Sequence, residues 1–252
     1  DYLPNVEIIS DLAGALYQLN KALLNRLSQT SLPLFNIDSR KKLRTEMLNH
    51  LNKNNSDESF PMKPQRVLAD VRSVMSDSDI LLSDVGAHKM WVAREYNCVN
   101  PNTCLISNGF CTMGFALPGS IGAKMAFPER KVLSINGDAG FLMNVQDLET
   151  AVRNKINVVA VVWLDGEYGL IKWKQQVHFD GQHSDLKFDN PNFSDLAKSF
   201  GMWGKQISSS EQFIPALKEA FQQTGPAIIG VPVDYDENMK LTQHLGKVSA
   251  VI

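Results

Sequence analysis

Two apolar runs, each ending at a turn that carries glycine and aspartate, constrain this chain more than anything else in its 252 residues. Val132-Leu133-Ser134-Ile135 is short and continuously apolar, as a strand buried on both faces must be, and Asn136-Gly137-Asp138-Ala139-Gly140 follows it. Val158-Val159-Ala160-Val161-Val162-Trp163 is a second such run, followed by Leu164-Asp165-Gly166-Glu167-Tyr168-Gly169. Between them, Asn144 to Asn154 puts Val145, Leu148, Ala151 and Val152 on one helical face. Strand, helix and strand in that order predict a parallel pair. Asp138 and Asp165 then stand at the carboxyl ends of two parallel strands, on the sheet edge where open α/β folds bind their ligands. A lone Gly-Asp is ordinarily a turn, and Asp165-Gly166 by itself is a hairpin-turn candidate. The matched pair is what points to chemistry: two hard oxygen ligands suit a divalent cation that bridges to phosphate oxygens. Gly137 lets the backbone turn sharply and approach such a ligand closely.

The same alternation continues along the chain. Val67, Leu68, Val71, Val74 and Met75 form a helical stripe, and Ile80-Leu81-Leu82 a strand. Further strands are expected near 103–106, 203–207 and 227–232, and helices at 115–126 and 211–222. This predicts an α/β fold, a mainly parallel sheet with helices on both faces. Near the N-terminus, Val6-Glu7-Ile8-Ile9 reads as a strand, and Asp11 as the cap of a helix bearing Leu12, Leu16, Leu19 and Leu23. One strand and one helix bury too little to stand alone, so they read as the remnant of a preceding α/β domain. The stretch 27–64 is polar and reads as a linker, with Arg40-Lys41-Lys42-Leu43-Arg44 a solvated helix face.

A hydrophobic content of 44% is ample for a core, and a net charge of −2 supplies no attraction to nucleic acid or an anionic membrane. Cys98, Cys104 and Cys111 show no metal spacing, and their odd number argues against a disulfide framework. No apolar run reaches transmembrane length, and the start lacks a signal-peptide pattern, so a cytoplasmic setting is the expectation. No Gly-x-Gly-x-x-Gly follows a strand, which disfavours a dinucleotide-binding dehydrogenase.

The run Ile121-Gly122, five residues, Pro128, four residues, then Leu133 to Gly140 resembles the signature of thiamine diphosphate (ThDP) enzymes at every specified position. The spacing from Gly137-Asp138 to Asp165 also fits that family's diphosphate–metal motif. Ser83 to Trp91, Ile106 to Pro118 and Leu148 to Val152 are similar to acetolactate synthases, and the resemblance covers roughly residues 65 to 245. It implies a division into the tail of a middle domain (1–26), a linker (27–64), a ThDP diphosphate-binding domain (65–235) and a C-terminal tail (236–252).

By the same resemblance, Mg²⁺ is held by the Asp138 and Asp165 side chains and the main-chain carbonyl of Glu167. Gly137, Asp138, Ala139, Gly140, Tyr168 and Gly169 form one bank of the cofactor site, and Gly86, Ala87 and His88 hold the diphosphate from the other side. Met113 wedges under the bent cofactor, and Cys111 lies where a backbone carbonyl meets its aminopyrimidine. Leu170, Trp173 and Lys174 face the substrate channel, although indole packing between helix and sheet explains Trp173 equally well. Relatives commonly carry Asn for Asp165 and Gly for Ala139, and biosynthetic synthases Trp for Lys174; the last departure leaves the acceptor open. The family's catalytic glutamate belongs to a first domain outside this sequence, so no residue here is assigned that role, and this stretch alone is expected to be inactive. The implied activity of the whole enzyme is decarboxylation of pyruvate and condensation of the two-carbon unit with a second pyruvate, in a homodimer or homotetramer. The alternatives are another ThDP-dependent 2-oxo acid decarboxylase or carboligase, or a non-catalytic ThDP-binding regulatory module.

Overall fold

A computed structural model describes residues 4–29, 37–238 and 241. Of the tail expected at 236–252, residues 239, 240 and 242–252 therefore lie outside the described residues. The chain divides into two units, 1–48 and 49–252. The first holds α1 (Leu12–Leu27) and most of α2 (Ile37–Leu51). Asp11 caps α1 as its short polar side chain predicts, accepting from the Gly14 N–H at 2.8 Å. None of the residues of α1 is buried, so its leucine stripe faces solvent. The strand expected at Val6–Ile9 does not form: these residues are exposed and unpaired, and β-branched residues without a neighbouring strand leave their backbone groups to water.

The second unit runs α3 (Pro64–Val74), β1 (Ile80–Ser83), α4 (Ala87–Glu95), β2 (Cys104–Ile106), α5 (Ala116–Ala126) and β3 (Val132–Gly137). It continues with α6 (Asp138–Met143), α7 (Asp147–Arg153), β4 (Val159–Leu164), α8 (Gly169–His178), α9 (Phe193–Ser199), β5 (Trp203–Gln206), α10 (Phe213–Phe221) and β6 (Ala227–Pro232). The six strands form one parallel sheet in the order β2-β1-β3-β4-β6-β5. Alternate strand residues feed opposite layers. Leu81, Leu133, Ile135, Val159, Val161, Trp163 and Ile229 pack with Val67, Trp91, Trp173, Phe213 and Leu217. Ile80, Leu82, Val132, Val158, Ala160, Val162 and Ile228 pack with Leu117, Phe141, Leu148 and Phe193. Each aliphatic side chain so enclosed contributes about 1.5–3 kcal/mol, and burial on both faces is why the strands read as unbroken apolar runs.

The helix expected at 144–154 is α7, which starts only at Asp147, and a separate short helix, α6, precedes it. The chain turns helical at once at Asp138, and Asn144 interrupts it by donating from Nδ2 to the Gly114 carbonyl (2.8 Å). Among the described residues no helix is long and apolar enough to cross a membrane.

Candidate functional site

The strand order reverses between β1 and β3: β2 lies on one side of β1, while β4 lies beyond β3. An open parallel sheet leaves a crevice at such a point, outside the carboxyl ends of the strands. A cleft opens there, walled by Val85–His88 after β1, Met113 before α5, Gly137–Gly140 after β3, and Asp165 and Glu167–Ile171 after β4, with Tyr235 at its base. Gly137 pairs with Trp163 across β3 and β4, so Asp138 and Asp165 leave the same edge nearly level.

Asp138 is almost completely buried. Its Oδ2 accepts from the main-chain N–H of Asp165 (3.2 Å) and of Gly166 (2.8 Å) and from Asn190 Nδ2 (2.7 Å); its Oδ1 accepts from the Ala139 N–H (2.8 Å). Burial, and then the negative charge of Asp138, push the Asp165 carboxyl up to about 7. No ion pair among the described residues involves either carboxylate. Glu167 differs: its side chain is paired with Lys172 and lies 3.9 Å from Lys187 Nζ, which leaves its main-chain carbonyl as the group a cation could use. Among the described residues no set of three or more His, Cys, Asp or Glu side chains is placed to hold a metal alone. A cation here therefore draws on two carboxylates, backbone oxygen and oxygens brought by the ligand, a set that fits Mg²⁺ bound to a diphosphate.

The opposite wall rests on Asp84, which is fully buried at the end of β1. Its Oδ2 accepts from the Gly114 N–H (3.0 Å), and its Oδ1 from those of Phe115 (2.9 Å) and Ala116 (3.4 Å). It thereby satisfies donors that the start of α5 would leave bare. Burial pushes this carboxyl up and the N–H groups hold it back. Gly114 takes φ +84°, a left-handed conformation that glycine adopts without strain, and so presents Met113 to the cleft.

His88 lies under the loops rather than on them. A Cβ on Gly86 would meet its ring at 2.7 Å and one on Gly137 at 3.2 Å, and its ring meets Trp163 edge-on, centroids 6.3 Å apart. Burial lowers its pKa to about 4, against a hydrogen bond to the Asp84 backbone carbonyl, so the imidazole is neutral. Nε2 has no partner, which makes Nδ1 the bonded nitrogen.

Of the residues singled out in the sequence, the cleft gathers Gly86, Ala87, His88, Met113, Gly137, Asp138, Ala139, Gly140, Asp165, Glu167, Tyr168, Gly169 and Leu170. It does not gather three. Cys111 lies outside the lining, its Sγ 3.5 Å from Lys89 Nζ. Trp173 is buried in the core and borders an adjoining hollow that shares Asp165, Glu167, Gly169 and Tyr235 with the cleft. Lys174 is exposed. Both sit inside α8, which begins at Gly169.

Two participants went unnoticed in the sequence. Tyr235 packs on Trp163 (centroids 5.9 Å), and burial together with the charges of Asp165 and Asp138 raises its hydroxyl well above the usual tyrosine range. Asn190 arrives on a strip that pairs with the metal loop: Tyr168 N–H donates to Leu186 O (3.0 Å) and Phe188 N–H to Gly166 O (3.1 Å). By itself Asn190-Pro191 is only a turn signal.

A doubly wound parallel sheet whose crevice sets paired carboxylates against glycine-rich turns defines a diphosphate-binding α/β domain. The chain belongs to the thiamine pyrophosphate enzymes: residues 84–231 match the family described as thiamine pyrophosphate enzyme, C-terminal TPP binding domain. It is 32% identical over 245 residues to the catabolic acetolactate synthase of Raoultella terrigena, covering 97% of this chain and 43% of that protein. To an acetolactate synthase of Bacillus subtilis (strain 168) it is 30% identical over 247 residues, covering 95% and 41%. Among solved structures it resembles the thiamine diphosphate-dependent 4-hydroxybenzoylformate decarboxylase of Rhodococcus jostii RHA1, with TM-score 0.64 and 26% identity over 70% of this chain and 33% of that one. The chain thus spans less than half the length of each of these proteins.

Proposed function

We propose that this chain supplies the ThDP- and Mg²⁺-binding part of an acetolactate-synthase-like carboligase, which decarboxylates pyruvate and joins the two-carbon unit to a second pyruvate. The observation that carries this reading is the Asp138–Asp165 pair, two carboxylates nearly level at adjacent strand ends and, among the described residues, in no ion pair. Asp138, Asp165 and the Glu167 carbonyl would hold the metal, and the metal the diphosphate. Main-chain N–H groups at Gly86–His88 and Gly137–Gly140 face the same cleft and can donate to phosphate oxygens. Bound ThDP would supply a nucleophilic carbon that adds to a 2-oxo acid and accepts the electrons left when carbon dioxide departs. Met113, fixed through Asp84 and Asn144, would set the cofactor's bend. Neutral His88 adds no charge to the site and gives Gly86 and Gly137 a rigid backing. Phe110, fully exposed three residues before Met113, supports assembly as a homo-oligomer in which a second copy covers this side of the cleft.

Product analysis on the full-length protein with pyruvate, ThDP and Mg²⁺ tests the reading. Acetolactate is the expected product. Acetaldehyde alone would make the protein a decarboxylase, and tight cofactor binding without turnover a regulatory module.

A further inference from the structure

We propose that Asn190 is a positioning residue for the metal-binding carboxylate: its side-chain amide is the shortest of three donors crowded on Asp138 Oδ2 and fixes the carboxylate's rotation, so that Asp138 meets a cation through Oδ1 alone. The assignment rests on the reading of Asp138 as a Mg²⁺ ligand.

A carboxylate has about four lone-pair sites, two on each oxygen. Oδ2 of Asp138 receives three donors, the N–H groups of Asp165 and Gly166 and the Asn190 amide, which is the shortest of the three at 2.7 Å. Nothing is left there for a metal. Oδ1 receives one donor, Ala139 N–H, and keeps a site open. The carboxylate is thereby fixed in rotation and limited to one coordinating oxygen. Two of the three Oδ2 donors are main chain, so Asn190 is the side chain through which this clamp can be altered.

The orientation of the amide follows from its surroundings. Asn190 Oδ1 is buried without a partner among the described residues. Turning the amide over would set that oxygen against the Asp138 carboxylate, so the nitrogen must face Oδ2. The chain holds the residue from both sides. Upstream, the strip at 186–188 pairs with the metal loop, and the rings of Tyr168 and Phe188 lie 5.1 Å apart. Downstream, Pro191 restricts Asn190 to extended backbone, Asn192 caps α9 through the Asp195 N–H (3.0 Å), and Phe193 is anchored in the core.

The test uses the full-length protein, with ThDP binding followed by circular dichroism while Mg²⁺ or Ca²⁺ is titrated in. Asn190→Leu keeps the branched shape in a larger side chain and removes the donor; Asn190→Ala removes both shape and donor. Outer partners of metal ligands are worth 10–100-fold in affinity, so both variants should raise the half-saturating Mg²⁺ concentration about ten-fold or more. Ca²⁺ accepts looser geometry than Mg²⁺, so its half-saturation should rise distinctly less. Metal-dependent wild-type binding with an unchanged Asn190→Leu variant would overturn the assignment alone. Equal losses for the two ions, with a lowered Tm, would make Asn190 a packing residue and overturn it too. Wild-type ThDP binding that ignores both ions would overturn the parent reading, and this assignment with it.

Discussion

Gly140 closes the Gly-Asp-Ala-Gly turn, and its want of a side chain serves Asp84 instead of the ligand. A Cβ at Gly140 would fall well inside contact distance of Asp84 Oδ2. That oxygen cannot swing away freely, because the carboxylate is fully buried and holds the N–H groups of Gly114, Phe115 and Ala116. Hydrogen bonds to a charged group are worth about 1.5–3 kcal/mol each. Gly140→Ala should break or stretch at least one of them and cost about 3 kcal/mol, lowering Tm by about 6–12 °C in a domain of this size. Because Asp84 also fixes the turn before α5, Met113 should move and ThDP affinity fall with stability. Thermal melts of Gly140→Ala, Asp84→Ala and the double variant isolate the cause. If the clash with Asp84 is what hurts, Gly140→Ala should cost little once Asp84 is gone, with a coupling of about 2 kcal/mol. Additive losses, or a Gly140→Ala variant within about 1 °C of wild type, would refute the argument. Gly122→Ala is the control: its Cβ meets nothing within 4 Å, and α5 should gain about 0.5–1 kcal/mol.

Other outcomes follow from the same geometry. In metal-free protein the raised Asp165 carboxyl contributes stability that is fully present below its ordinary value of 3.8 and is lost as pH climbs through about 7. The gap amounts to at most about 4 kcal/mol, and about 2 kcal/mol once the open cleft mouth is allowed for. Metal-free Asp165→Asn should therefore be the more stable protein at pH 8, with a flatter Tm profile from pH 4 to 8; matching profiles would refute this. Trp173→Ala should cost about 3–5 kcal/mol, as loss of a core indole does, and, on the proposed carboligase reading, leave the full-length protein's acceptor preference unchanged. A stable variant with altered acceptor preference would return Trp173 to the substrate channel. The 252-residue chain alone should release no carbon dioxide from pyruvate, and measurable release would show that the chemistry needs nothing beyond it.

What could be read from the sequence is what local chemistry determines. The strands were legible because a sheet covered on both faces demands continuous apolar runs, and Asp138 and Asp165 because each follows such a run by a fixed short step. The resemblance then placed Met113 and Gly86–His88, and the cleft contains them. The remainder depends on contacts between distant segments. Asn190 lies 52 positions from Asp138 in a loop without periodicity, and Asp84 reaches 30 residues to Gly114. Gly140 lines the cleft as expected, but that its missing side chain also makes room for the Asp84 carboxylate is not legible in the sequence. Val6–Ile9 failed for the converse reason: a strand propensity has no effect without a partner.

In the proposed site Asp138 ties a diphosphate to this crevice through Mg²⁺. Calorimetric titration of ThDP into the full-length protein, wild type and Asp138→Ala, with Mg²⁺ and with chelator, tests it most directly. Wild type should bind in Mg²⁺ only, and Asp138→Ala in neither condition. Equal ThDP affinity for the two proteins would contradict it.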